Sequence, residues 1–298
     1  MQIAVLSRGP SLYSTQSLLI AGQRRGHRMF LIDYMDCSLS LSPGRPSVYY
    51  KEERLPRIDA IIPRIGSSGT THGAAIIRQF EQMGVYTTLT ADALLSARDK
   101  LTCYQILANS GLQFPLTTYG SIQEAADYLL DSVGGVPVIL KLLRSTHGLG
   151  VMLLEDRRTA ESVIETFQRL KETFIVQEFI REAKGEDVRA LMVDGELVAA
   201  MKRKAMPGEF RSNLHRGGSA IQLELTKEEL NVARVAVQRL GLGVAGVDIL
   251  QSKRGPLILE VNPSPGLEGI ETTTQIDVAG AIIELIERQL IGRKKIVS

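Results

Sequence analysis

Tryptophan is missing from this chain of 298 residues, cysteine occurs only twice, and aromatic residues make up 5% of it. Cys37 and Cys103 show no CxxC spacing and no Cys/His pattern, which excludes a zinc module and a disulfide scaffold and fits thiols kept reduced in the cytoplasm. The scarcity of aromatics removes the stacking series that sequence-tolerant binding of single-stranded nucleic acid needs. Neither sign of charge is in excess: Lys and Arg total 35 against 33 Asp and Glu, a net charge of +2. With a pI near 8.5, charge alone argues for neither a nucleic-acid nor a membrane partner. No apolar run approaches the length of a membrane span, and MQIAVLSRGP has only a few apolar residues before Arg8, so no secretory signal is expected. Nor does GxGxxG follow the first strand, where Ser7-Arg8-Gly9-Pro10 stands instead, which argues against a dinucleotide site.

What is present is the composition of a soluble globular protein, 44% hydrophobic and 23% charged, on a chain long enough for two or three packed units. Up to about residue 90, strands and helices alternate: Ile3–Leu6, Ser14–Arg25, Met29–Asp33, then Asp59–Ile65, His72–Met83 and Val85–Leu89. That is the pattern of a small, mostly parallel α/β domain. The stretch Leu39–Arg57, with its prolines and Gly44, reads as a surface loop. A second unit begins near Thr90, where Ala91–Asn109 reads as one long helix stopped by Gly111. It carries Arg98-Asp99-Lys100, a triplet that by itself reads as a solvated face. Ser121-x-x-Glu124 is a capping box for a helix toward Val133.

The strand Pro137–Leu143 contains one lysine, Lys141, set either to snorkel at an edge or to meet an anion in a cleft. Its place before Ser145-Thr146-His147-Gly148-Leu149-Gly150 favours the anion. In the strand Thr173–Ile180, Glu178 again interrupts apolar residues. Such an edge offers backbone groups and a carboxylate to an adenine ring, or else carries a charge that discourages aggregation. A turn at Gly185-Glu186-Asp187 precedes a hairpin about Asp194-Gly195. The loop 206–219 gathers Arg211, Asn213 and Arg216 beside Gly217-Gly218 for contact with anions. Thr226-x-x-Glu229 caps a helix to Leu240 and Asp277 a last amphipathic helix to about Gln289, before the basic tail IGRKKIVS.

The densest signal lies in 246–271, GVDILQSKRGPLILEVNPSPGLEGIE. Asp248 and Glu260 interrupt apolar runs patterned for burial, and buried carboxylates need a partner. A three-residue loop Lys253–Gly255 pairs Gln251 with Leu257 and sets Asp248 opposite Glu260, with Asn262 on the same face. Two carboxylates and an amide are the oxygen ligands of Mg2+ or Mn2+ with phosphate oxygens completing the shell. The competing reading is the solvated face of an edge hairpin. Pro263, Pro265 and Gly266 then stop the strand beside this trio.

Lys100, Lys141 with its glycine loop, Val176-Gln177-Glu178-Phe179, Asp187 and the trio Asp248, Glu260, Asn262 together resemble the ATP-grasp fold over about residues 90–288. More closely, RDKL at 98–101, GEFRSNLHRGG at 208–218, AGVDIL at 245–250 and EVNPSPGLEGIE at 260–271 are similar to the RimK-type glutamate ligases. The resemblance implies an α/β N-terminal domain, 1–90, followed by an α+β ATP-grasp fold of two lobes, 91–180 and 181–290, with ATP between them, and a tail, 291–298. It implies an ATP-dependent carboxylate–amine ligase that adds L-glutamate through an acyl phosphate. By the same resemblance Lys100 and Lys141 meet the phosphates, Glu178 and Phe179 the adenine, and Asp187 the ribose. Arg203, Arg211 and Asn213, with Ser212 between the last two, serve the γ-phosphate and acyl phosphate, while Asp248, Glu260 and Asn262 hold two Mg2+ or Mn2+ ions.

The implied acceptor is the C-terminal tail of a small-subunit ribosomal protein, entering a groove walled by Arg203, Lys204, Arg211, His215 and Arg216. A small metabolite or coenzyme is the alternative acceptor, and a nucleotide-binding protein without turnover the alternative class. Neither nucleic acid nor membrane is an expected partner, and self-association is left open. Pro263 departs from the family pattern, which has a small residue such as Ala after the ligating Asn.

Overall fold

The computed structural model describes residues 1–120, 123–143, 150–212, 214 and 217–297, with 293–297 given by their backbone alone. Strands Gln2–Leu6, Arg28–Ile32, Ala60–Pro63 and Tyr86–Thr87 form a parallel sheet in the spatial order second, first, third, fourth. Helix Tyr13–Arg24 covers the face of Ile3 and Val5, and helix Thr70–Gln82 covers the face of Ala4 and Leu6. Burial on both faces is why these strands read as nearly continuous apolar runs. The order reverses between the first and third strands, so a crevice opens beyond their carboxyl ends, at Ser7 and Arg64.

The stretch expected to be a loop, Leu39–Arg57, instead contributes to an antiparallel three-stranded sheet of Cys37–Ser40, Ser47–Tyr50 and Glu53–Arg54. Its turn residues close hairpins: Gly44 has φ 71°, and Lys51 and Glu52 sit at φ 51° and 68° between paired Tyr50 and Glu53. The single helix expected at Ala91–Asn109 is broken into Ala91–Arg98 and Lys100–Ala108. Asp99 is extended between them, and its carboxylate accepts from the Thr102 N–H at 2.8 Å, because a short acidic side chain prefers capping a new helix to continuing an old one. The next helix starts only at Ala126, without a side-chain cap; Ser121 of the expected capping box lies outside the described residues.

Two further sheets follow. The antiparallel set Val151–Leu154, Val138–Leu142, Phe174–Glu178 and Thr117–Thr118 has its own core, in which Val138, Leu140, Phe174 and Val176 meet Leu129, Leu130 and Ile164. Helices Ala91–Arg98 and Lys100–Ala108 pack elsewhere, in the core shared by the N-terminal sheet and helix Lys227–Arg239. The last sheet is antiparallel, in the order Ser219–Gln222, Glu196–Lys204, Glu186–Val193, Val244–Ser252, Gly255–Asn262. Asp194 and Gly195, at φ 55° and 76°, close its expected hairpin. Glu186 and Asp187, expected in a turn, belong to a strand, and the turn is made by Lys184 and Gly185, at φ 51° and 73°.

Alternation along Glu186–Val193 sends Val188, Ala190 and Met192 to one core, with Val232 and Ala236 of the helix that Thr226 and Glu229 cap reciprocally. Leu191 and Val193 go to the other, with Val278, Ile282 and Ile286 of the last helix. Both cores also contain residues of the first strand, Ala4 and Leu6 in one and Ile3 and Val5 in the other. The N-terminal sheet and the five-stranded sheet therefore share two cores, while the sheet bearing Lys141 has a separate one.

Candidate active site

The hairpin turn at Lys253-Arg254 is one residue shorter than expected, with Ser252 opposite Gly255 and Gln251 opposite Pro256 rather than Leu257. Asp248 still lies opposite Glu260, because a bulge between Asp248 and Ile249 admits Leu259 as an extra residue in the facing strand. Strict period-2 alternation puts Ile258 and Glu260 on one face. The bulge instead lets Ile258 and Val261 both enter the core while Glu260 and Asn262 share the face of Asp248. It is anchored from below: the Tyr104 hydroxyl donates to the Leu259 carbonyl at 2.7 Å and accepts from Gln177 Nε2 at 3.0 Å. Glu260 is exposed rather than buried, while Val261 after it turns into the core and the bulge residue Leu259 before it stays half-buried.

Across the same face runs a row of charge. Asp187 and Arg189 are two residues apart on one strand, with Arg203 opposite Asp187, Asp248 opposite Arg189, and Glu260 opposite Asp248. Arg189 grips Asp248 with two bonds, Nε–Oδ1 at 2.7 Å and Nη2–Oδ2 at 2.6 Å. Arg203 grips Asp187 the same way, at 2.7 and 2.5 Å, and its Nη2 also reaches Asp248 Oδ2 at 2.8 Å. The Ser212 hydroxyl adds a bond to Asp187 at 2.6 Å. Burial pushes the Asp248 carboxyl up, but Arg189 and Arg203 outweigh it and hold the group below the usual range. Asp187 moves the other way, raised by burial and by the neighbouring charge of Asp248 over the pull of Arg203.

Two residues expected to meet the nucleotide have protein partners in this geometry. Arg203, expected at the γ-phosphate, is 4% exposed and spends its guanidinium on two carboxylates, so it positions Asp187 and Asp248. Asp187, expected at the ribose, is 4% exposed with both oxygens engaged.

Lys141 faces this row from the neighbouring sheet. Its strand alternates so that Val138 and Leu140 enter the local core while Ile139 and Lys141 line the cleft. It is 8% exposed, and among the described residues no hydrogen bond or ion pair reaches its ammonium. Burial, with Lys100 adding repulsion, pushes it down to about 8 against the pull of Glu260 and Asp248. A cation so placed calls for an anion. Lys100 heads its helix with Nζ 3.5 Å from the Leu142 carbonyl. The loop residues 144–149 after Lys141 lie outside the described residues.

Glu178, expected to take the adenine amino group, is already engaged. Its carboxylate accepts from Arg254 at 2.6 Å and from the Leu116 N–H at 3.1 Å, while Phe179 after it lines the cavity. Arg211 is ion-paired with Glu209 at 2.8 Å and lies over the Phe210 ring; its side chain, chiefly by hydrogen bonding, pulls the Glu209 carboxyl down to about 2. Asn213, His215 and Arg216 lie outside the described residues. The remaining candidates converge on one cavity of about 1140 Å³ running from Phe179 and Ile139 past Lys141, Asp248 and Glu260 to Ser7 and Arg64.

No three His, Cys, Asp or Glu side chains cluster among the described residues, and the residues that could hold a metal are the expected Asp248, Glu260 and Asn262, which line one cavity. All three offer oxygen and none comes with a soft ligand; the Asp248 oxygens also accept from Arg189 and Arg203, and Asn262 Oδ1 accepts from the Ser264 N–H at 2.9 Å, each with a further lone pair to offer. Asp248 is held ionised, and among the described residues no hydrogen bond or ion pair reaches Glu260, a set that suits a hard divalent ion. Three site residues escape sequence reading. Arg189 carries the same signal as Asp248, a charge inside an apolar strand two residues from another charge. Tyr104 and Gln177 carry none, because their roles depend on contacts over 155 and 73 residues of sequence.

A lysine-bearing antiparallel sheet facing a carboxylate-bearing one across a shared cleft defines an ATP-grasp enzyme, an ATP-dependent ligase. Solved structures of that fold match almost the whole chain. The ligase PsnB, complexed with a phosphomimetic variant of minimal precursor, Mg and ADP, gives a TM-score of 0.74 at 20% identity over 97% of this chain and 98% of its own. The macrocyclase MdnC from Microcystis aeruginosa MRC, bound with precursor peptide MdnA, gives 0.75 at 14% identity over 97% and 100%. Residues 1–94 match the RimK PreATP-grasp domain and residues 97–286 the RimK-like ATP-grasp domain, and the chain belongs to this RimK-like ATP-grasp family. A relative in Aliivibrio fischeri strain MJ11, named "Probable alpha-L-glutamate ligase", is 51% identical over 97% of this chain and 96% of its own.

Proposed function

We propose that this protein joins L-glutamate to a substrate carboxylate through an acyl phosphate formed from ATP. The observation that carries the reading is one cavity lined both by a buried lysine awaiting an anion and by the aligned carboxylates Asp248 and Glu260. A carboxylate oxygen of the acceptor attacks the γ-phosphorus and ADP leaves. The glutamate amine then attacks the acyl carbon, phosphate leaves with its oxygen, and the amine proton is released. Such chemistry asks the protein mainly for positioning and charge neutralisation. Lys141 and Lys100 supply positive charge at the phosphates, Phe179 and the strand edge at Glu178 seat the adenine, and Arg203 and Arg189 hold Asp248 in place. Two Mg2+ or Mn2+ ions, held by Asp248, Glu260 and Asn262, would supply neutralisation of phosphate charge. The loop carrying Arg211, Ser212 and Asn213 serves the acyl phosphate.

The acceptor we favour is the C-terminal tail of a small-subunit ribosomal protein in the cytoplasm. Support for a peptide comes from PsnB and MdnC, whose structures carry precursor peptides. Incubation with ATP, magnesium, L-glutamate and purified small ribosomal subunits, read by mass spectrometry, tests this. A ladder of glutamate additions on one C-terminal tail is expected. Additions appearing only on free glutamate or a small metabolite would overturn the protein acceptor, and a lack of ADP release with every acceptor would leave a nucleotide-binding protein.

A further inference from the structure

The end of the cavity at the carboxyl ends of the parallel strands holds two arginines, Arg64 and Arg98, which feel the charges of Glu271 and Glu260 but form no ion pair among the described residues. Arg64 follows the third strand of the parallel sheet, and among the described residues its side chain donates only to the Pro265 carbonyl, from Nη2 at 2.5 Å. Arg98, the last residue of its helix, donates from Nη2 to the carbonyl of Ile65, Arg64's neighbour, at 2.7 Å, while its Nε is buried with no partner among the described residues. No carboxylate lies within ion-pair distance of either among the described residues, although Arg25, Arg157, Arg189 and Arg203 are all so paired. Leaving the buried Arg98 Nε unsatisfied costs free energy, and the charge of Arg64 beside it adds repulsion. Both line the cavity together with the hydroxyl-bearing Ser7, Ser14, Thr15 and Ser67. Ser7 and Arg64 stand at the carboxyl ends of the first and third strands, where the sheet order reverses and open α/β sheets bind ligands.

We infer that Arg64 and Arg98 form the binding site for the two carboxylates of the amino-donor substrate, a dicarboxylic amino acid such as L-glutamate. This rests on the ligase reading and names its second substrate's seat. Of the two organic substrates, the acceptor loses the charge of its reacting carboxylate when the acyl phosphate forms. Both carboxylates of the amino donor stay ionised from entry to product and need fixed cations throughout, and a planar guanidinium matches each in a bidentate manner. Glu260, whose charge Arg98 senses, marks how close this end lies to the phosphates. The nucleotide end of the cavity, with Phe179 and Lys141, lies beyond it.

The test is L-glutamate binding to the full chain with magnesium and a non-hydrolysable ATP analogue, by calorimetry, for wild type, Arg64→Gln, Arg98→Gln and Arg98→Lys. Each Gln variant should weaken glutamate binding by roughly tenfold to a hundredfold with the analogue's affinity unchanged, and Arg98→Lys should recover part of the loss. In the wild type, L-glutamine, which lacks one carboxylate, should bind at least about tenfold more weakly than L-glutamate, a comparison that needs no variant to fold. Unchanged glutamate affinity in both Gln variants, equal loss of the nucleotide analogue, equal binding of glutamine, or no glutamate binding by the wild type would each overturn the site. Glutamate that binds through these arginines but is never ligated would count against the ligase reading alone. Glutamate that is ligated with an unchanged KM in the Gln variants would count against the site alone.

Discussion

Replacing Arg203 by methionine removes the cation that, among the described residues, alone touches both buried carboxylates of the site. It makes three bonds, at 2.7 and 2.5 Å to Asp187 and 2.8 Å to Asp248. What remains is unequal: Asp248 keeps its bidentate partner Arg189, whereas Asp187 keeps only the Ser212 hydroxyl. The penalty therefore falls mainly on Asp187, a carboxylate 4% exposed beside a second negative charge. Removing one partner of a buried pair costs about 3–5 kcal/mol, and the surviving Arg189 and Ser212 place the expectation near the lower end, about 3 kcal/mol. Urea denaturation of wild type, Arg203→Met, Asp187→Asn and the double variant measures it, with the midpoint read at constant slope. Because the double variant no longer buries an uncompensated charge at 187, it should recover about 1–3 kcal/mol relative to additivity. A loss under about 1 kcal/mol, or strict additivity, would refute the claim that Arg203 is an organiser of the carboxylates, since exposed pairs behave that way.

The Lys141 ammonium, pushed chiefly by burial down to about 8 from 10.5, loses its charge as pH rises through that value. ATP affinity should fall by about tenfold between pH 7 and 9, read by calorimetry, and Lys141→Arg should flatten the profile. For stability the sign is opposite: between about 8 and 10.5 the unfolded state binds more protons at this lysine, so its contribution to stability rises with pH. Glu260→Ala should cost roughly a hundredfold or more in kcat/KM while shifting stability by under about 0.5 kcal/mol, because the side chain is exposed and accepts no hydrogen bond among the described residues; activity assays and thermal melts check both halves. Tyr104→Phe leaves the Leu259 carbonyl and the Gln177 amide without their shared partner, and denaturation should show a loss of about 1–2 kcal/mol.

The alternation of Val247, Asp248, Ile249 and of Leu259, Glu260, Val261 makes the pairing of two carboxylates legible in the sequence alone, since local period and turn chemistry are written in consecutive residues. The route to that pairing is not legible: a shorter turn and the Leu259 bulge shift the register by one residue each and cancel. Lys141 is readable for the same local reason, a cation within an apolar strand. The Asp187–Arg203–Asp248–Arg189 row spans three strands and becomes visible only when their order in the sheet is known, so sequence reading sends Arg203 to phosphate and passes over Arg189. The N-terminal three-stranded sheet is hidden because Gly44, Lys51 and Glu52 are turn residues whether the segments between them pair or not. Arg64 carries no sequence pattern and Arg98 stands out only as part of the charged triplet 98–100, so what the two do together lies in what the fold fails to place beside them.

The central claim, that a substrate carboxylate is phosphorylated by ATP and then captured by the glutamate amine, is tested most directly by isotope transfer. An acceptor peptide ending in a carboxylate labelled with oxygen-18 is incubated with the enzyme, ATP, magnesium and L-glutamate, and the released phosphate is examined by mass spectrometry. One labelled oxygen should appear in phosphate for each amide bond formed. Amide formation with unlabelled phosphate, or ADP release that does not depend on glutamate and acceptor together, would contradict the mechanism.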